Sequence, residues 1–243
     1  MKDFSKMTKK DFGKFFDYSV LPKNSTKTDI EKGCKEAIEY NCAAFYPSTN
    51  YWLPLTTELL AGSGVLAATT FDFPFGTGSW KLKEFATKEA IELGAESIDM
   101  VMNIGALRSG LIDDVKCELK AVIDPIKSAG RPILSKCIIE LDFLTDDEIK
   151  LASELVAEAG IGYVKTSSGQ FGGPTMDQFL IMKNAVAGSG CGTKVAGVKF
   201  PRPQNAFAFI MAGADLIGTR AAPEIIDHLD MMREIGLFPK YEE

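Results

Sequence analysis

The stretch Ile161-Gly162-Tyr163-Val164-Lys165-Thr166-Ser167-Ser168-Gly169 decides the fold. It reads as a buried strand that carries a lysine near its C-terminal end and then breaks into a small polar turn. Two more apolar strands carry an isolated charge. Ser97-Ile98-Asp99-Met100-Val101-Met102 holds an aspartate, and Thr193-Lys194-Val195-Ala196-Gly197 holds a second lysine. A charge in a buried strand is costly unless it is paired, or unless it titrates and reacts.

The surroundings of these strands repeat. Segments 92–101, 157–166 and 211–220 share one grammar: helix end, glycine cap, short turn, buried strand. The same reading places strands at 15–21, 42–46, 64–70, 97–102, 133–140, 161–166, 193–198 and 215–219. Between them lie helical patterns such as Leu111, Val115, Leu119, Val122 and Ile126 on one face. Three capping boxes open helices: Thr28 with Glu31, Thr145 with Glu148 and Thr175 with Gln178. Asn41 closes a helix in the left-handed conformation, and the loop 103–105 separates the fourth strand from its helix. Short apolar strands with helical crossovers make a parallel sheet. Eight such units predict an α/β chain folded as one (β/α)₈ TIM barrel over 1–243, with an extra amphipathic N-terminal helix over 2–12. A doubly wound open sheet is the competing architecture. No Gly-x-Gly-x-x-Gly follows the first strand to support it.

Composition narrows the partners. The net charge of −6 argues against nucleic acid and anionic membrane. No apolar run is long enough to span a bilayer, and the charged N-terminus lacks the core of a secretory signal. The five cysteines are odd in number and never spaced C-x-x-C, which fits a reducing, cytoplasmic setting and no zinc site. His228 is the one histidine, so a histidine-cluster metal site is excluded. It reads as a helix-surface residue.

Residues late in barrel strands line the active site. Adjacent strands lie roughly 4.8 Å apart, so Lys165 and Lys194, pointing inward, bring two ammonium groups together. Two partly desolvated cations disfavour protonation, and one amine becomes neutral. A neutral amine attacks a carbonyl to form a Schiff base, while Asp99 balances charge or moves a proton. The plainer alternative is a buried ion network filling the barrel, to which Lys136 and Glu140 on the fifth strand also belong. At the same mouth, Thr166, Ser168, Gly169 and Gly197 supply small turns that present N–H groups to an anion. Lys199, Arg202 and Arg220 make the mouth locally basic in an acidic protein. Ordinary turns and solvated loop charges account for these features equally well.

These residues resemble the deoxyribose-phosphate aldolase family. The resemblance is carried by residues 98–107 (IDMVMNIGAL), 164–169 (VKTSSG), 194–197 (KVAG) and 212–219 (AGADLIGT). It implies that Lys165 is the Schiff-base lysine, Lys194 the lysine that perturbs it, and Asp99 the proton-relay acid. Asp17 falls where the family has an aspartate and joins the substrate site on that ground. No metal or organic cofactor is implied, because the iminium is itself the electron sink. A small phosphorylated deoxy sugar is the implied substrate, and a homodimer or higher homo-oligomer the implied assembly. Departures cluster at the anion pocket. Val198 stands where the family has a second glycine, and Arg220-Ala221 where it has a serine pair. A different anionic or unphosphorylated substrate therefore stands beside the sugar phosphate. A sugar-phosphate isomerase without a Schiff base and a non-catalytic sugar-phosphate binder are the remaining readings.

Overall fold

The computed structural model describes residues 3–242. Eight parallel strands close into a barrel in sequence order: β1 (Phe16–Val20), β2 (Ala44–Pro47), β3 (Leu66–Thr70), β4 (Ser97–Val101), β5 (Leu134–Ile138), β6 (Tyr163–Lys165), β7 (Gly192–Ala196) and β8 (Leu216–Thr219). β8 pairs with β1, so no sheet edge remains, and the open-sheet alternative is set aside.

Alternation along the strands builds two environments. On β4, Ile98 and Met100 join the apolar shell between sheet and helices. Asp99, between them, points into the barrel. On β5, Cys137 faces the shell and Lys136 faces in. Burying each large apolar side chain of the shell contributes roughly 1.5–3 kcal/mol. The barrel interior is polar instead, and it is kept roomy by Ala44, Ala68 and Gly218. A Cβ on Gly218 would stand 2.9 Å from Cε of Lys194, so the lysine stem occupies the space a side chain would fill.

Most helices return the chain between strands: α2 (Lys27–Glu39), α3 (Leu53–Leu60), α4 (Trp80–Glu92), α6 (Ile112–Lys127), α7 (Asp146–Ala159), α8 (Met176–Ala185) and α9 (Arg202–Met211). The capping boxes at Thr145 and Thr175 form as expected. The first box is displaced by half a turn. Thr26 with Asp29 caps α2, because Thr26 adopts the extended backbone an N-cap needs. The loop 103–105 is in fact the start of a short helix, α5 (Ile104–Arg108), since Asn103 accepts the N–H of Ala106. Asn41 is left-handed, with φ 52°.

The expected helix over 2–12 is two pieces, and Lys2 lies outside the described residues. A 3-10 turn, Phe4–Lys6, gives way at the extended Met7. Thr8 then caps a second start, α1 (Lys9–Gly13), in a capping box with Asp11. Phe12 of α1 packs on Phe16, Phe207 and Phe238. The chain ends in α10 (Ala222–Asp227) and α11 (Leu229–Glu234), with His228 between them, hydrogen-bonded to the carbonyl of Glu224. No helix among the described residues is long and apolar enough to cross a membrane.

A buried ion cluster, Lys83 with Glu118 and with Asp72 at 3.5 Å, braces the C-terminal end of β4 from the helix side. Lys83 of α4 is fully buried and donates to Glu118 of α6, to the Val101 carbonyl at 2.8 Å and to the Gly76 carbonyl at 3.0 Å. Glu118 in turn accepts the N–H of Asn103. The pair thereby fixes the end of β4, two residues beyond Asp99. Removing one member of a buried pair leaves an uncompensated charge. Lys83→Met is expected to lower unfolding free energy by about 3–5 kcal/mol in a denaturant melt. Lys88→Ala, which loses an exposed pair with Glu84, is expected to change it by less than about 1 kcal/mol.

Candidate active site

Inside the barrel five charged side chains form one chain of contacts. Lys165 and Lys194 are register partners on β6 and β7, so both project inward at one level. Each donates to the same carboxylate oxygen, Asp99 Oδ2, at 2.8 and 2.7 Å. Lys194 also reaches Asp17 Oδ2 at 2.7 Å, and Lys136 reaches that same oxygen at 2.7 Å. Tyr46 completes the set. Its hydroxyl donates to Asp99 Oδ1 at 2.7 Å and accepts from Lys136 at 2.7 Å. Its ring centroid lies 4.2 Å from the Lys194 ammonium, and Ser97 Oγ accepts a further hydrogen bond from Lys136 at 2.9 Å.

Three lysines against two aspartates leave one unbalanced positive charge when all are ionised. The geometry decides which amine gives it up. Lys194 is pinned between two carboxylates, and although burial works against its charge, they hold its pKa above the usual lysine value. Lys165 has Asp99 alone. Burial brings its pKa down to about 8; Asp99 resists and the Lys194 cation adds to the fall. A pKa near 8 leaves the Lys165 amine mostly protonated at pH 7 and neutral above pH 8; the fall comes first from desolvation, with Lys194 assisting. Burial also lowers Lys136. Burial would raise Asp17 and Asp99, but the surrounding lysines overcome it and keep both below the ordinary carboxylate range.

Exposure separates the members by role. Lys165 is 7% exposed, while Asp17, Asp99, Lys136 and Lys194 are at 1% or less. The expected ion network and the expected reactive lysine thus fall in one cluster: four sealed residues with Lys165 at their open end.

The other expected residues divide. Asp17 is not at the mouth; it lies sealed against Lys136 and Lys194 and balances their charge. Thr166 is buried with its hydroxyl engaged on both sides. It donates to the Ala196 carbonyl and accepts the Ala196 N–H, which stitches β6 to β7. Ser168 accepts the N–H of Gln170. Gly169 and Gly197, both at positive φ, meet backbone to backbone, and Gly172 and Gly173 close on Gly197 from the other side. A Cβ on Gly173 would sit 1.8 Å from the Gly197 carbonyl, so these loops touch only because they lack side chains. Lys199 and Arg220 are exposed after β7 and β8. The N–H of Ala221, where the family pattern has a serine, is taken by Thr219 Oγ1. Glu140 makes no direct ion pair with the network: it lies beyond the end of β5, against the turn after Lys165, whose charge reaches it only at longer range.

Sequence reasoning missed Tyr46, Ser97 and the phenylalanines of the mouth. Tyr46 sits two residues after Ala44 on a period-2 strand, which was the available signal for an inward side chain. Phe75, Phe143 and Phe171, from the loops after β3, β5 and β6, stand exposed with centroids 5.7–6.0 Å apart. Their contact joins three loops and has no signature in the linear chain.

This barrel and site define a class I aldolase, a carbon–carbon lyase. The chain is 38% identical to a deoxyribose-phosphate aldolase of Brevibacillus brevis over 214 residues, 88% of this chain and 94% of that one. It is 40% identical to the corresponding Streptococcus gordonii protein, with the same coverage. The chain belongs to the deoxyribose-phosphate aldolase family. Among solved structures it superposes on the aldolase QR15 with a TM-score of 0.82 at 28% identity, covering 93% of this chain and 98% of that one. The fold is shared with a tetrameric deoxyribose phosphate aldolase of Aeropyrum pernix, with a TM-score of 0.82 at 23% identity and 93% of each chain covered. No protein-family model matches the chain.

The neutral fraction of Lys165 rises as pH increases through its pKa. Trapping of acetaldehyde on this amine by borohydride is expected to increase with a midpoint near pH 8, read by intact mass. In Lys194→Met the neighbouring cation is gone, and the midpoint is expected to move up.

Proposed function

We propose that the chain cleaves 2-deoxy-D-ribose 5-phosphate reversibly to acetaldehyde and D-glyceraldehyde 3-phosphate, with Lys165 as the Schiff-base residue. The observation that carries this reading is the one amine of the cluster with measurable solvent access, Lys165 at 7%, above a sealed, charge-balanced network. Neutral Nζ of Lys165 attacks C1 of the open-chain sugar. Loss of water gives an iminium that draws electrons from the C2–C3 bond as the C3 hydroxyl gives up its proton. Three carbons leave as the aldehyde acceptor. The two-carbon enamine takes a proton at C2 and is hydrolysed to acetaldehyde, which frees the amine. Asp99, held by Tyr46 and Lys194, balances the iminium charge and relays protons through water. Lys194 stays protonated and keeps Lys165 ready to react.

The phosphate is assigned to the side of the mouth between β6 and β8. Gly169 and Gly197 put side-chain-free backbone at that side of the mouth, and Lys199 and Arg220 supply positive charge. Arginine suits a phosphate through two parallel N–H donors, and Arg220 takes the place of the family's serines. Val198, half-buried and packed on the apolar shell, supports a second reading in which the acceptor carries another anion or none. All of 1–243 is taken as one barrel domain in the cytoplasm, assembled as a homo-oligomer.

Two measurements test the assignment. Lys165→Ala is expected to abolish retro-aldol activity and the borohydride adduct; an adduct on another residue would overturn the role of Lys165. Arg220→Ala is expected to raise KM for the phosphorylated sugar about tenfold or more and to leave KM for 2-deoxyribose nearly unchanged. Equal effects on both sugars would remove phosphate from the role of Arg220.

A further inference from the structure

Glu140 is a strained residue whose side chain the chemistry above does not use. The backbone N–H of Ile139 donates to the Lys165 carbonyl, and that of Leu141 donates to the Thr166 carbonyl, both at 3.0 Å. Two residues after β5 thus advance against one after β6, which is a β-bulge, and Glu140 is the extra residue. Its backbone is left-handed, at φ 45° and ψ 56°. Glycine adopts that conformation freely, and asparagine tolerates it; glutamate does so at a cost. If the bulge served only to bend the backbone, glycine would serve better. The side chain is therefore what this position retains.

That side chain is 3% exposed. Its Oε1 accepts the N–H of Ser168 at 2.9 Å, and its Oε2 is buried without a hydrogen-bond partner among the described residues. Burial pushes its carboxyl up, against the hydrogen bonding from Ser168. The loop around it repeats the contact, since Ser167 donates to Asp142 Oδ2 at 3.2 Å and the Phe143 ring meets Phe171. The segment after β5 thus clamps the turn that directly follows Lys165.

We infer that Glu140 is a positioning residue for the aldol reaction. Through Ser168 it fixes the Ser167-Ser168-Gly169 turn, on which the end of the substrate remote from the Schiff base is seated. This rests on Lys165 being the Schiff-base lysine, whose own amine is placed by Asp99 and by strand pairing and not by Glu140.

The test compares wild type with Glu140→Gly, Glu140→Asn and Glu140→Gln. The measurements are kcat and KM for 2-deoxyribose 5-phosphate, and borohydride trapping of acetaldehyde at Lys165. Glycine and asparagine keep the backbone but lose or shorten the acceptor, and KM is expected to rise about tenfold or more. Glutamine keeps an amide oxygen at the same reach, and its KM is expected within about threefold of wild type. Acetaldehyde trapping is expected to stay within about twofold throughout, since acetaldehyde does not extend to the turn. An unchanged KM in a folded glycine or asparagine variant would overturn the inference. So would a glutamine variant as impaired as glycine, or loss of trapping in the glycine and asparagine variants. A glycine variant that fails to fold leaves the asparagine and glutamine pair to decide. Absence of trapping in wild type would instead strike the role of Lys165.

Discussion

The carboxylate of Asp99 is the constraint on which the site depends. One of its oxygens accepts from two ammonium groups and the other from the Tyr46 hydroxyl, inside a closed barrel where Asp99 has no exposed surface. In that setting charge must balance locally, because solvent cannot do it. Two aspartates neutralise two of the three lysines. The third, Lys165, has the fewest anionic contacts and the most solvent, and it gives up its proton from about pH 8. The reactivity of one amine is thus a property of five side chains.

Such a network is costly to build. Desolvating several charges loses more than their attraction returns unless every geometry is good. The chain meets that condition by register: β4 to β7 place Asp99, Lys136, Lys165 and Lys194 on inward positions that only a closed, tilted sheet brings together. Small residues opposite them, Ala44, Ala68 and Gly218, leave the space. A second buried pair, Lys83 with Glu118, holds the end of β4 from behind. Stability of the shell and placement of the site are therefore coupled through one strand.

The mouth follows a different rule. There the contacts are between loops, and they depend on missing side chains as much as on those present. Gly169, Gly173 and Gly197 meet through backbone, and Val198 beside them turns to the apolar shell. Glu140 is the exception, a full side chain in a conformation suited to glycine. The glycine contact with β7 and the clamp from the segment after β5 are built on opposite flanks of the same strand, β6.

The linear sequence by itself determined the barrel. Period-2 apolar strands, glycine-closed helices and capping boxes at Thr145 and Thr175 are local signals, and local backbone preference survives folding. It also singled out Asp99, Lys165 and Lys194, because an isolated charge in an apolar strand has few explanations, and the fold brings all three into one cluster. Tertiary structure decided which neighbours each one has. Asp17 and Thr166 read as substrate contacts, yet closure of the sheet buries both in other tasks. Tyr46, Lys83 and the bulge at Glu140 became visible only when strands and loops distant in sequence came within hydrogen-bond range. Burial and ion pairing set a pKa, and both depend on which neighbours folding supplies, which no stretch of sequence contains.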